Sequence, residues 1–594
     1  MKHRRKPGTI EIGKIVNGPG TLYIDRDVLN THLYVCGGTG YGKSKFLEGI
    51  GRQIIHDQRY TGSGMILLDP HGSLYDGLME WLAWHRIERP IIPIDLRRDD
   101  WIIAYNLLRQ RELETSVVVD NIVQAMAHAW GQGNTDQTPL FARWAGNVTH
   151  ALYEKHNTLV ESMYLTDRVE KQLRQLLTAD IDDPVVKRDW DYANSISRTE
   201  FDLQVSSSIN RLNRFLSSRI YRSMFGQSDV SLDLRKALEE GWIILVCMAT
   251  AGGKISYENS RLFGTLLLSD LWTAAQERGK PNNPKDVKPF YLMIDEFQRY
   301  VTPTIGENLD EARGFGLHLI MANQYPRQLL NAGSHGQHLY DSIMENVHSK
   351  VVFRLQHEDN LKPLAQWLFM GTMDPDEVKH RLFSTKVMDY REEMRRAYSH
   401  VDSETSGGSH ASGKGTGLSS MHLSGISYDG KGNKIGTSIN DNYANSWNSY
   451  FADTDNWAAT SADGYTDSPV LIPVMGKELS HIQFRNLEEQ LFRAMAALFD
   501  LTERQAVVRM KGMKVPVSVF SKFIKPSYAS KERIDKYRLN YLKKWDFAIP
   551  GPEAINNLKL RQEYFEKNLL NEIMSSLSEE PVSIKRRAYK QITE

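Results

Sequence analysis

The residues with the plainest chemical capacity are Gly37, Gly38, Thr39, Gly40, Tyr41, Gly42, Lys43 and Ser44, which fit the spacing G-x-x-x-x-G-K-[ST] without a gap. Glycines at these positions let successive backbone N–H groups converge on phosphate oxygens, because only Gly takes the required dihedrals without strain. Lys43 then offers a cation to the β- and γ-phosphates of a nucleotide, and the Ser44 hydroxyl offers a ligand to Mg²⁺. A glycine-rich surface loop is the alternative. The flanks favour the phosphate cradle: the apolar run Leu33-Tyr34-Val35-Cys36 reads as a strand, and Phe46, Leu47, Ile50, Ile54 and Ile55 then recur on one helical face.

A second constellation completes a hydrolytic site. The run Phe290-Tyr291-Leu292-Met293-Ile294 reads as a buried strand and ends in Asp295-Glu296. Asp295 suits the Mg²⁺ shell, and Glu296 suits a general base that polarises the attacking water. An apolar run ending in two acids is common by itself; beside the glycine loop it points to ATP and Mg²⁺ as cofactors. A further strand within the run Ala312–Gln324 has Gln324 as its last residue, whose amide can orient water near the γ-phosphate. Arg313, just before that strand, can stabilise transition-state charge in its own site or in a neighbour's, or can simply pack across a helix.

Positioning these residues requires strands alternating with helices. Thr9–Val16 and Thr21–Ile24 make a hairpin-like lead-in over residues 1–30. Residues 31–108 then read as the first part of an α/β core, a RecA-like nucleotide-binding fold with a mostly parallel sheet and helices on both faces. The run Gly64–Gly72 belongs to it, an apolar strand ending in a polar turn that brings Asp69 and His71 to the ligand-binding edge, either as site residues or as turn chemistry. Residues 109–240 show helical spacing without convincing strands and read as an inserted all-helical domain. Arg211, Arg214, Arg219 and Arg222 near its end read as a solvated face or a DNA contact. Residues 241–401 resume the sheet.

The stretch 402–466 is rich in Gly, Ser, Asn and Asp, has no helical period, and is expected to be flexible. Its aromatics Tyr443, Trp447, Tyr450, Phe451 and Trp457 read as local sticking points or as stacking platforms for single-stranded bases. Residues 467–525 read as a helix opened by Asn486 and Glu489, followed by a hairpin. Residues 526–594 form a basic helical tail, and the window 522–545 gathers eight Lys and Arg with Tyr528, Tyr537, Tyr541 and Trp545. That tail is either a solvated helix, a nucleic-acid contact, or a docking element for a partner protein.

Composition bounds the class. Over 594 residues, Lys+Arg and Asp+Glu both number 73, so a nucleic-acid contact rests on local patches, of which Lys2–Lys6 is one candidate. Two cysteines, Cys36 and Cys247, lie in apolar runs and read as small buried hydrophobes of a reducing, cytoplasmic setting. No stretch has the length and apolarity of a transmembrane segment.

The order strand–GGTGYGKS–helix, LLDPHGSL, a helical insertion, GWIILVCMA, FYLMIDEFQRY and ARGFGLHLIMANQ resembles the HerA–FtsK superfamily of DNA-pumping ATPases. Within it, the blocks SSINRLNRFLSSRIYRSMFGQ and LEEQLFRAMAALFDLTERQAVVRM resemble the cytosolic part of coupling proteins of type IV secretion systems. The resemblance spans roughly residues 20–525 and implies a hexameric ring, ATP at subunit interfaces and DNA in a central channel. It assigns the P-loop roles to Lys43 and Ser44, the Walker B roles to Asp295 and Glu296, the sensor to Gln324, and an arginine before the sensor strand to Arg313. It also implies an arginine acting across the interface from before the P-loop, for which Arg26 is the nearest residue. The N-terminal membrane helices of such coupling proteins have no counterpart here, so a DNA-transfer, DNA-processing or defence complex is expected. A protein-remodelling or secretion ATPase, or a nucleotide-gated scaffold for an effector enzyme, are the rival functions.

Overall fold

A computed structural model describes residues 8–129, 139–165, 171–279, 287–300, 309–401, 414–428, 434–449 and 462–578. The basic run Lys2–Lys6, and Tyr450, Phe451 and Trp457, lie outside them. The described residues fall into two compact units, one of residues 1–375 and 486–594, the other Asp376–Arg485.

The larger unit is built on an eleven-stranded sheet. In chain order its strands are β1 (Thr9–Ile15), β2 (Thr21–Asp25), β3 (Leu33–Cys36), β4 (Gly64–Asp69) and β5 (Ile91–Asp95). A short β6 (Trp101–Ile103) stands apart, and the sheet continues with β7 (Ile243–Cys247), β8 (Phe290–Ile294), β9 (Leu317–Asn323) and β10 (Lys350–Phe353). The smaller unit takes β11 (Val378–Val401), β12 (Lys414–Tyr428), β13 (Lys434–Ser449) and β14 (Ala462–Phe484), after which the larger unit adds β15 (Gln505–Arg509), β16 (Val517–Ser521) and β17 (Ala548–Pro550).

The sheet order is β2-β1-β16-β15-β10-β3-β9-β8-β4-β7-β5. From β10 to β5 every neighbour is parallel, whereas β15, β16, β1 and β2 extend the edge in antiparallel fashion. The parallel strands are apolar on both faces because helices cover both, which is why β3, β4, β7 and β8 are buried at every position.

Among the described residues, 109–240 contain helices joined by turns and no strand, yet they do not enclose a core of their own. Trp144, Phe201, Phe215 and Tyr221 join Tyr34, Ile66, Ile92 and Ile244 from one face of the sheet in a single hydrophobic cluster. The other face packs Leu33, Met65 and Ile243 against Phe46, Ile50 and Leu78. The region is therefore a helical layer on the sheet. Within it, Arg211 lies over the Phe141 ring and Arg214 pairs with Glu258 at 2.7 Å.

The basic tail also docks. Its helix Lys531–Leu542 directs the Tyr541 hydroxyl to the Ile87 carbonyl at 2.9 Å, Arg538 pairs with Asp100, and Trp545 stacks on Phe547 and meets Trp242. β17 pairs with β6, seating the long helix Gly551–Ser578. The tyrosines and tryptophan that suggested base stacking are thus largely spent on internal packing; Tyr528 stays exposed.

Of the segment 402–466, residues 414–428, 434–449 and 462–466 are described, and the remainder lies outside the described residues. Residues 414–428 and 434–449 pair as an antiparallel ladder, and β11 pairs with β14. Backbone pairing needs no hydrophobic period, so a polar stretch can form a ribbon where a helix or packed strand is impossible. Among the described residues no helix is long and apolar enough to cross a membrane.

Candidate nucleotide site

Three adjacent parallel strands deliver the chemistry to one edge of the sheet. β3 runs into the glycine loop, β9 ends at Asn323 followed by Gln324, and β8 ends at Ile294 followed by Asp295 and Glu296. Carboxyl ends of parallel strands are where ligands bind in such sheets, since the following loops and helix N-termini converge there.

The loop is shaped by close approach and by positive φ. A Cβ at Gly37 would lie 2.4 Å from the Phe353 Cβ, and Gly40 and Gly42 have φ of +90° and +102°. The Gly37 amide donates to the Gln324 carbonyl at 3.1 Å and the Gly38 amide to the Arg354 carbonyl at 2.9 Å, which anchors the loop to both neighbouring strands. The helix Lys43–Thr61 starts directly after Gly42 with no side-chain cap. Its first-turn N–H groups, with the positive end of the helix dipole, are thereby left for an anion.

Around that helix start the sequence-expected residues converge. Lys43 Nζ lies 3.3 Å from Glu296 Oε1 and 3.9 Å from Asp295 Oδ1, with all three side chains buried. The Ser44 hydroxyl donates to Asp295 Oδ2 at 3.4 Å. Gln324 Nε2 reaches Glu296 Oε1 at 3.4 Å. Glu296 itself stands at φ 52°, a left-handed conformation that a non-glycine residue adopts at a cost and that clusters at functional sites.

The two acids are driven apart electrostatically. Burial raises the Asp295 pKa against the opposing pull of Lys43, with smaller upward contributions from the carboxylates of Glu296 and Asp69. For Glu296 burial also works upward, but the Lys43 charge and hydrogen bonds from Gln298, Lys43 and Gln324 hold its carboxyl below the ordinary range. Glu296 is therefore held as the anion, the form a base requires.

These residues fit a nucleotide with Mg²⁺. An uncapped helix start follows a glycine loop that is crowded at Gly37 and has positive φ at Gly40 and Gly42, and a hydroxyl and a carboxylate of hard-cation chemistry stand together.

Other expected residues go elsewhere. Arg26 is buried in an ion pair with Asp57 at 2.9 Å and donates to the Thr61 and Ser63 hydroxyls at 3.1 Å. Asp57 lies near the far end of the P-loop helix, roughly 21 Å from Lys43 at ~1.5 Å per residue. Arg26 is thus engaged within its own chain, away from the glycine loop. Arg313 is exposed in the helix Leu309–Gly314, before the first residue of β9. β9 spans roughly 20 Å between Arg313 and the strand end that leads to Gln324. Asp69 turns out to serve the turn: it accepts from the amides of His71, Gly72, Leu74 and Tyr75 at 2.8–2.9 Å.

Two contributors escaped the sequence reading. Gln298 donates to Glu296 Oε2 at 2.5 Å and accepts from Asn323 Nδ2 at 2.8 Å, a link from the β9 end to the Glu296 carboxylate. Its place two residues after the acids was the available signal. Arg504 is the other: it has φ 64°, donates its amide to the Tyr41 carbonyl at 3.0 Å, and packs against Gly42. Nothing in its local sequence marks it, because its partner is 463 positions away.

Comparison with known proteins agrees with this arrangement. Residues 19–396 match the model of the type IV secretion-system coupling protein DNA-binding domain. No curated protein matches. Among solved structures, the chain is similar to the bacterial conjugative coupling protein TrwBdeltaN70 in its unbound monoclinic form, at 13% identity, 88% of this chain, 91% of that one and a TM-score of 0.45. The plasmid coupling protein TrwB in complex with ADP and Mg²⁺ is similar at 14% identity over 89% and 93%, with a TM-score of 0.44. VirB4 of Thermoanaerobacter pseudethanolicus is similar at 15% identity over 61% and 88%, with a TM-score of 0.40. With a glycine loop, two acids and a glutamine on adjacent strand ends and a family match over well more than half its length, the chain belongs to the family of the type IV secretion-system coupling protein DNA-binding domain.

Proposed function

We propose that this chain is an ATPase that couples ATP hydrolysis to movement along DNA. The observation that carries the reading is the meeting of Lys43, Asp295 and Glu296 at the start of an uncapped helix, within a family defined by a DNA-binding domain.

When bound, ATP with Mg²⁺ supplies the reactive anhydride. The chain's own residues do the rest. The Gly37–Gly42 loop and the first turn of the P-loop helix bind phosphate through backbone N–H groups. Lys43 leaves its two carboxylates for the incoming negative charge. Ser44 and Asp295 hold the metal side of the site, and Glu296, kept anionic, takes a proton from water at its carboxylate. Gln324 and Gln298 fix the orientation of that carboxylate. Arg313, exposed on the opposite edge, is assigned to a neighbouring copy's site, which makes a ring the working form, with six subunits in the family's pattern and DNA through its centre. The cytoplasm is the proposed setting, supported by two free, buried cysteines.

The test is turnover with and without DNA. Glu296→Gln is expected to bind nucleotide yet lose hydrolysis by about 10²–10⁴-fold, and DNA is expected to stimulate the unaltered protein. Wild-type hydrolysis by Glu296→Gln would remove the base assignment. Stimulation by unfolded protein and not by DNA would favour a protein-remodelling motor.

A further inference from the structure

Lys43 and Glu296 fix the reacting end of the nucleotide site on the side of the glycine loop that faces β8. A nucleotide with its terminal phosphate there carries its base away from the acids, toward the flank on which β10, β15 and β16 follow β3 in the sheet. Residues far apart in the chain build that flank. A Cβ at Gly42 would lie 3.3 Å from the Arg504 Cα, and the Arg504 amide donates to the Tyr41 carbonyl at 3.0 Å. A Cβ at Gly49 would lie 3.2 Å from Ile524 Cδ1, so the segment after β16 runs beside the first turns of the P-loop helix.

Phe523 stands between these two anchors, and its ring is 60% exposed. The Arg504 guanidinium covers one face of it, 5.0 Å from the ring centre. That guanidinium is held in turn: it donates to the Ser521 carbonyl at 2.9 Å, and the Ser521 amide donates to the Arg504 carbonyl at 2.8 Å. Arg504 itself stands at φ 64°, a backbone cost that a bulky residue bears only where its surroundings impose it. A ring backed by a fixed planar cation and open in front is a stacking platform. The other aromatics on this flank are less available. Tyr41 folds back over the loop, its Cδ2 3.3 Å from a Cβ at Gly38, and Arg354 lies over both Tyr41 and Phe499.

Three occupants compete for the open face of Phe523: the base of a nucleotide, a base of single-stranded DNA, and a side chain of a partner protein. Position favours the first. Through Arg504 the ring is tied to Tyr41 and Gly42 of the loop that receives the phosphates, so one continuous wall serves both ends of one ligand.

We propose that Phe523, backed by Arg504, stacks the base of the bound nucleotide and makes the site prefer purines to pyrimidines. The proposal rests on the nucleotide reading and deepens it. Stacking rewards the area of a π-face, which is larger in a purine.

The test reads binding, not turnover, by calorimetry on the full chain with Mg²⁺ present. The unaltered protein is expected to bind ADP about fivefold more tightly than CDP. Phe523→Ala is expected to lose about tenfold in ADP affinity and to narrow the gap between ADP and CDP, while its affinity for inorganic tripolyphosphate, which has no base, stays unchanged. Phe523→Trp is expected to keep ADP affinity, and its added emission should be quenched by ADP and not by tripolyphosphate. Unchanged ADP affinity in Phe523→Ala would overturn the proposal. So would an equal loss for ADP and tripolyphosphate, which would make the ring a prop of the glycine loop. Loss of single-stranded DNA binding with ADP binding intact would give the ring to DNA and overturn it as well. Binding of neither ADP nor tripolyphosphate by the unaltered protein would remove the phosphate site itself, a failure of the nucleotide reading that is distinct from a failed base platform.

Discussion

The ammonium of Lys43 stands 3.3 Å from the Glu296 carboxylate, and the two side chains are buried together. In this state the lysine is the counter-charge of both acids, and a bound phosphate would compete for it. The pair thus ties occupation of the phosphate position to the electrostatics of the base.

Lys43→Ala is expected to abolish turnover and to raise the Glu296 pKa, since its main opposing charge to burial disappears. Turnover of the variant should be at least about a hundredfold lower. Residual activity with an unchanged pH profile would separate Lys43 from Glu296.

Asp295 and Glu296 should respond to pH with opposite signs. The Glu296 pKa is depressed on folding, so its stabilisation is present above the unfolded value and is lost as pH falls through the folded one. The Asp295 pKa is raised, so its ionisation costs stability once pH exceeds the unfolded value. Asp295→Asn is therefore expected to raise the Tm of the nucleotide-free protein at neutral pH by about 1–2 °C, and the gain should vanish in acid. Thermal melts between neutral and acidic pH check this; a Tm lowered at neutral pH would contradict the assigned sign.

Arg26→Ala should act on stability. Its guanidinium and the Asp57 carboxylate are both nearly inaccessible, and removing one partner strands the other charge at a cost of about 3–5 kcal/mol. Denaturant unfolding measures that loss, while turnover per folded molecule should hold. A stable variant with lost turnover would restore an interfacial role.

Arg313→Ala should lose turnover alone and regain it on mixing with Lys43→Ala. The mixture creates interfaces in which a complete P-loop meets a neighbour's intact Arg313. No recovery, with mixed assemblies demonstrated, would remove Arg313 from the site.

DNA binding should weaken steeply with salt, because contacts to phosphate release counterions, with log K falling by about 0.9 per phosphate contacted for each unit of log salt. Titration across a range of salt concentrations measures the slope, and a flat slope would exclude a phosphate-tracking channel.

The local sequence determined what Gly37–Ser44 and Asp295-Glu296 can do. A glycine loop is legible because φ and side-chain volume are properties of single residues, and a strand end bearing acids because burial patterns recur at short range. Gln324 was legible for the same reason, as the residue after an apolar run. Tertiary structure decided which residues share a site. It sent Arg26 to the far end of the P-loop helix and Asp69 into its own turn, and it packed Tyr537 and Tyr541 of the tail against the core. It brought Arg504 to Tyr41 and paired β11 with β14 across a polar stretch. Ion pairs, ladder register and packing depend on partners hundreds of positions away, and no local pattern of residue types encodes those distances.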